Sequence, residues 1–145
     1  MKLAFDTSIL VEIDRGNEKV VSLLKKLTEK GEELVISTIT VSEILAGSYL
    51  QNKTDEAVMN AKEVLGQFDW KEMDGEVAET TAKLFAYLRL EKRGDIEFQD
   101  IVIAATCISE NCDALITLNK KDFLVFPNLK SKVYAPDEFS LKFMR

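Results

Sequence analysis

Histidine is absent from this 145-residue chain, and that gap narrows its chemistry more than any residue present. Ser-His-Asp and Cys-His nucleophilic machineries, imidazole general bases and nearly all ordinary zinc sites are excluded. Cysteine is scarce: Cys107 and Cys112 fall in an apolar stretch and at its end. Without further Cys or His they read as buried free thiols rather than as a metal site or a disulfide. Only two prolines occur, Pro127 and Pro136, and no repeat, low-complexity tract or Pro/Gly/Ser linker interrupts the chain. One domain over residues 1–145 is the expectation. No run approaches the roughly 20 apolar residues of a membrane helix. The N-terminus also lacks the basic stretch, apolar run and small-residue site of a signal peptide. A cytoplasmic protein with no membrane partner is expected.

Apolar mass and charge are both plentiful. The chain is 46% hydrophobic and 30% charged, enough for a real core. Its net charge of −6 opposes nucleic acid unless metal ions or local basic patches reverse the field. Chemistry must rest on carboxylates, hydroxyls or lysines. Residues 2–5 (KLAF), 34–37 (LVIS), 114–118 (ALITL) and 132–135 (KVYA) read as short strands, each too brief for a helix. Between them, Val20, Leu23, Leu24 and Leu27 follow helical spacing, as do Val77, Thr81, Leu84, Phe85 and Leu88 nearly. The second helix should begin near Asp74 and end at Gly94, which suits the left-handed residue after a helix, preceded by the cations Arg89, Lys92 and Arg93. Short strands alternating with helices predict an α/β fold, a three-layer α/β/α arrangement around a short central parallel sheet. In such sheets ligands bind beyond the carboxyl ends of the strands, where strand order reverses.

Four acids stand at or near those ends. Asp6, with Thr7 and Ser8, follows the first strand and reads equally as a helix N-cap. Glu43 lies three residues after Thr40, the spacing of a capping box, yet Ile39, Val41, Ile44 and Leu45 make its helix apolar. Asp100 opens the run Ile101-Val102-Ile103-Ala104-Ala105, hydrophobic on all sides, where a charge calls for a partner beyond the helix dipole. Asn119 and Asp122 follow the third strand, where acids are also common in loops. Oxygen ligands without His or Cys suit Mg²⁺ or Mn²⁺.

Taken in order, LAFDTS at 3–8, STITVSEI at 37–44, DIVIAAT at 100–106, TLNKKDF at 117–123 and APDEF at 135–139 resemble the PIN-domain ribonucleases, above all the VapC-type toxins of toxin–antitoxin pairs. The resemblance spans nearly the whole chain. It implies an acidic pocket holding Mg²⁺ or Mn²⁺ and hydrolysis of RNA phosphodiesters. Asp6, Glu43 and Asp100 fall on the family's three recurrent acids, and either Asn119 or Asp122 on the fourth. It also implies a cognate antitoxin whose tail covers the pocket and a homodimer, with Leu45, Tyr49 and Leu50 as candidate contacts. Arg89, Lys92, Arg93, Lys120 and Lys121 either guide the RNA backbone or form a solvated face. Three alternatives remain open: a ribosomal-RNA maturation nuclease, a non-catalytic RNA-binding PIN-like domain, and a phosphotransferase phosphorylated on Asp6. Against the last, Ser8 stands where haloacid-type phosphatases carry a second Asp.

Overall fold

The structure, a computed structural model, describes residues 1–144. In chain order the elements are β1 (Lys2–Phe5), α1 (Thr7–Asp14), α2 (Glu18–Glu29), β2 (Glu33–Ser37), α3 (Thr38–Tyr49), α4 (Thr54–Leu65), β3 (Asp69–Lys71), α5 (Gly75–Leu90), α6 (Phe98–Ser109), β4 (Ala114–Ile116), α7 (Lys120–Phe123), β5 (Val133–Tyr134) and α8 (Pro136–Phe143). The five strands form one parallel sheet in the order β3-β2-β1-β4-β5. The chain therefore starts at the sheet's centre, builds outward on one side, and returns to build the other. The reversal falls between β1 and β4, at the end of β1.

Period-2 geometry sorts the strand residues onto two faces. Leu3 and Phe5 of β1, Leu34 and Ile36 of β2, and Ala114 and Ile116 of β4 share one core with residues of α1, α2, α3, α4 and α8. Ala4, Val35, Leu115 and Val133 point into a second core with α5, α6 and Phe123 of α7. The register pairs Leu3 with Leu34 and Ala114, and Ala4 with Val35 and Leu115, so each core is continuous across the sheet. Burial on both faces explains why these strands read as unbroken apolar runs. α6 is the most enclosed helix: every side chain from Ile101 to Cys107 is buried.

The structure amends several expectations. β3 carries no apolar run, because Asp69 and Trp70 of this edge strand face solvent, and only its backbone pairing with β2 reveals it. α4 buries only Ala61 and Leu65, too narrow a stripe to register as a period. β4 stops at Ile116 and β5 holds two residues, so both are shorter than predicted. Asp74 does cap α5, its side chain accepting from Val77 N at 2.9 Å. The helix nevertheless ends at Leu90, and Lys92 rather than Gly94 takes the left-handed conformation, with φ 58°. Phe85, expected on the inner face of α5, is 39% exposed and lies beneath the Arg89 guanidinium.

Leu115 is fully buried at the centre of the sheet. Replacing it with alanine leaves a cavity between β4 and α6 and should cost about 2–5 kcal/mol in urea unfolding, with the slope of the transition unchanged.

Candidate active site

The end of β1 is built around one carboxylate. Asp6 still belongs to the sheet through its backbone, its N–H donating to Ile116 O at 3.2 Å. It also caps α1: Oδ1 accepts the Ser8 N–H at 2.9 Å and the Ser8 hydroxyl. Oδ2 accepts the Thr117 hydroxyl at 2.7 Å, a contact spanning 111 positions of sequence. Those two hydroxyls are themselves fixed by the turn after β4, because Leu118 N donates to Ser8 Oγ at 3.1 Å and Asn119 N donates to Thr117 Oγ1 at 2.9 Å. Asp6 is 2% exposed, and burial pushes its carboxyl above the usual range although the Ser8 and Thr117 donors oppose the shift. Both oxygens are thus engaged, one on each side of the crevice between β1 and β4. An oxygen so enclosed is poorly placed to attack phosphorus, which weighs against phosphotransfer through Asp6.

Glu43 sits on the second turn of α3. The capping-box expectation fails here: Ser37 caps α3, accepting from Ile39 N at 3.1 Å, and Thr40 lies inside the helix. What holds Glu43 is the helix across the crevice. Thr7 Oγ1 lies 2.8 Å from Glu43 Oε1 and 3.0 Å from Thr40 Oγ1. With one hydroxyl proton, Thr7 serves the carboxylate first, since a charged acceptor makes the stronger bond. Glu43 is raised by burial, and further by the charges of Asp6 and Glu97, against the Thr7 hydrogen bond.

Asp100 lies in the first turn of α6, the half-buried mouth of the most enclosed helix. Burial, followed by the charges of Asp6, Asp122, Glu97 and Glu43, pushes its carboxyl up to about 7. The structure therefore brings Asp6, Glu43 and Asp122 within electrostatic reach of Asp100, and Asp6 within reach of Glu43. Asp122, in the one-turn helix α7, is felt by Asp100 and also by Arg93. Asn119 is exposed at the start of that helix, where its backbone joins the Thr117 hydroxyl. Glu97, which precedes α6, adds an acid that sequence reasoning missed, because nothing separates it from an ordinary surface glutamate. Thr117 was legible in principle: it follows β4 as Asp6 follows β1.

The cations named from sequence are partly committed. Lys120 pairs with Glu138 at 2.7 Å, and Arg93 pairs with Asp95 at 3.0 Å. Between α1, α3 and α4 a cleft of about 510 Å³ reaches Glu43 and Thr7 and continues past Arg15, Gln51 and Asn60. Asp6 and Asp100 do not line it. Among the described residues, no group of three or more Asp, Glu or Cys side chains lies close enough together to hold a metal ion as it stands. The donor set nevertheless fits a hard divalent cation by its chemistry: several oxygen ligands and an uncompensated cluster of negative charge.

A raised carboxyl pKa lowers stability as pH rises, because the unfolded chain releases that proton earlier than the folded one. For Asp100 the loss should develop between about pH 4 and 7. In chelator, Asp100→Asn should melt at a higher temperature than the parent at pH 8, and the gap should close by pH 4. A lower melting point for the variant at pH 8 would assign Asp100 to capping instead.

Residues 3–128 match the PIN domain family. Over 130 residues the chain is 33% identical to "Ribonuclease VapC19" of Mycobacterium tuberculosis (strain CDC 1551 / Oshkosh), covering 90% of this chain and 98% of that protein. Its fold is similar to that in the structure of VapBC2 from Rickettsia felis bound to a promoter DNA fragment, with TM-score 0.84, 23% identity, and coverage of 93% of this chain and 98% of the other. It is also similar to a chain in a toxin-antitoxin complex from Klebsiella pneumoniae, with TM-score 0.70, 24% identity, and coverage of 93% and 98%. A match across most of the chain, together with a sheet whose central strand ends in a buried aspartate at the switch point, makes this chain a member of the PIN-domain family.

Proposed function

We propose that the protein is a divalent-metal-dependent endoribonuclease and the toxin of a toxin–antitoxin pair. The observation that carries this is the mutual repulsion at Asp100, where the neighbouring charges of Asp6, Asp122, Glu97 and Glu43 all raise its pKa. Such a cluster stores unfavourable energy that a cation relieves. The ribonuclease name of the 33% identical relative and the toxin-antitoxin assembly of a fold neighbour support the same reading.

In this reading Asp6 and Asp100 are the principal ligands of Mg²⁺ or Mn²⁺, with Glu43 and Asp122 completing the shell or orienting water. The ion supplies Lewis acidity toward a phosphodiester and acidifies water, work for which this chain has no histidine. The chain's own residues supply position. Thr117 and Ser8 hold both oxygens of Asp6, Thr7 aims Glu43 from α1, and the N-terminal dipole of α6 favours an anionic Asp100. The cation also lowers the electrostatic barrier that a net charge of −6 sets against RNA.

An acidic site of this kind suits an antitoxin tail bearing a basic side chain. Tyr49 and Leu50, 59% and 86% exposed at the end of α3, offer apolar surface to a second copy, whereas Leu45 packs against the core. A cytoplasmic location belongs to the same reading; among the described residues no helix is long and apolar enough to cross a membrane.

Purified protein should cleave RNA in Mg²⁺ or Mn²⁺, stop in excess EDTA, and resume when Mn²⁺ is added. Asp6→Asn and Asp100→Asn should each slow cleavage by about 100-fold or more with circular dichroism unchanged, given the several kcal/mol a bound ion contributes. Undiminished turnover in Asp100→Asn, or cleavage that survives chelation, would remove the proposal. The fourth ligand is decided separately: Asp122→Asn should weaken the Mn²⁺ dependence of cleavage at least tenfold while Asn119→Ala leaves it unchanged, and the reverse pattern would reassign the role to Asn119.

A further inference from the structure

α6 carries chemistry at both ends. Its far end, across the sheet from Asp100, closes in a Schellman cap: Asn111 takes the left-handed conformation with φ 51°, Asn111 N donates to Ile108 O at 3.0 Å, and Cys112 N donates to Cys107 O at 3.0 Å. In this motif the residue two beyond the helix packs on the one three from its end. Here those two positions are Cys112 and Cys107, each 1% exposed and both in the same core. The cap's usual apolar contact therefore falls to two sulfur-bearing side chains.

The pair is also polarised. The neighbouring Cys107 thiol lowers the Cys112 thiol, with help from the charge of Lys2 and against burial and the charges of Glu110 and Asp113, whereas Cys112 and burial raise Cys107. Lys132 Nζ donates to Cys112 O at 3.3 Å, adding a second cation at this corner. Asn111 and Asp113 on either side of Cys112 are exposed. A helix end and its cap are the part of a helix that opens at least cost, which gives a small reagent its access.

We propose that Cys107 and Cys112 form a reversible dithiol–disulfide site, oxidised by low-molecular-weight disulfides of the glutathione type. The Cys112 thiolate attacks one sulfur of the oxidant, forming a mixed disulfide and expelling one thiolate. Cys107 then gives up its proton and attacks the Cys112 sulfur, closing the intrachain bond and expelling the second thiolate. Two electrons pass from the pair to the oxidant, and the two protein thiol protons end on the two released thiols. The closed ring spans the cap alone and pins the C-terminal turn of α6 against the start of β4. The inference is independent of any nuclease activity.

The test is to equilibrate the native full-length protein with glutathione disulfide, block free thiols, and weigh it. The intact mass should fall by two hydrogens with no thiol left to alkylate, the chain should stay uncrosslinked to other chains, and a reducing dithiol should reverse the change. The thermal midpoint of the oxidised form should rise by about 5 °C. Two thiols still free, a stable glutathione adduct, a disulfide between chains, or a midpoint that falls on oxidation would each overturn the proposal. Cys107→Ser should accept one glutathione on Cys112 while Cys112→Ser stays unmodified, and the opposite pattern would refute the order of attack. Should either variant fold poorly, the mass of the unaltered protein decides alone.

Discussion

The constraint on which the rest depends is the bonding of the Asp6 carboxylate. A buried carboxylate is tolerated only when donors replace its lost water, and here the donors come from both sides of the sheet's switch point. Ser8 satisfies one oxygen from within α1, and Thr117 satisfies the other from the end of β4. Removing the Thr117 hydroxyl would leave Oδ2 dependent on solvent that scarcely reaches it, whereas Oδ1 would keep the Ser8 backbone N–H. The same bonds join the central strand to its neighbour beyond the last ladder pair, so the carboxylate is part of the sheet's architecture as well as a candidate ligand.

The acid cluster follows from that placement. Once Asp6 is fixed at the crevice, its charge is felt by Glu43 on α3 and by Asp100 on α6, and α7 adds the charge of Asp122 to Asp100. Each new carboxylate raises the cost of ionising the others, most at the mouth of α6, where the side chains that follow are all buried. The hydroxyls of Thr7, Ser8 and Thr117 soften this repulsion at Asp6 and Glu43. At Asp100 burial and the charges of Asp6, Asp122, Glu97 and Glu43 act in one direction and push the carboxyl up to about 7.

Much of the architecture was legible because burial on both faces leaves a plain signature. β1, β2 and β4 are apolar runs, and the spacing of Val20, Leu23, Leu24 and Leu27 matches the buried face of α2. β3 and α4 escaped because edge position and a narrow buried stripe let polar residues dominate their composition. Gly94 misled for a simpler reason: Lys92 accepts the left-handed turn itself, at a cost the surrounding turn bears. At the site, positions beyond strand ends pointed to Asp6 and Asp122, and the start of an all-apolar helix pointed to Asp100. The hydroxyl that secures Glu43 belongs to a helix 36 residues away and left no local mark.

Because β1 is the first strand made and β4 nearly the last, the pocket cannot assemble in step with synthesis. Asp6 is made 111 positions before its Thr117 partner. Long-range parallel pairing of this sort closes late and slowly. A nascent chain thus carries its first acid long before the last can join it, and whatever they do together begins only after both ends of the sheet have been made.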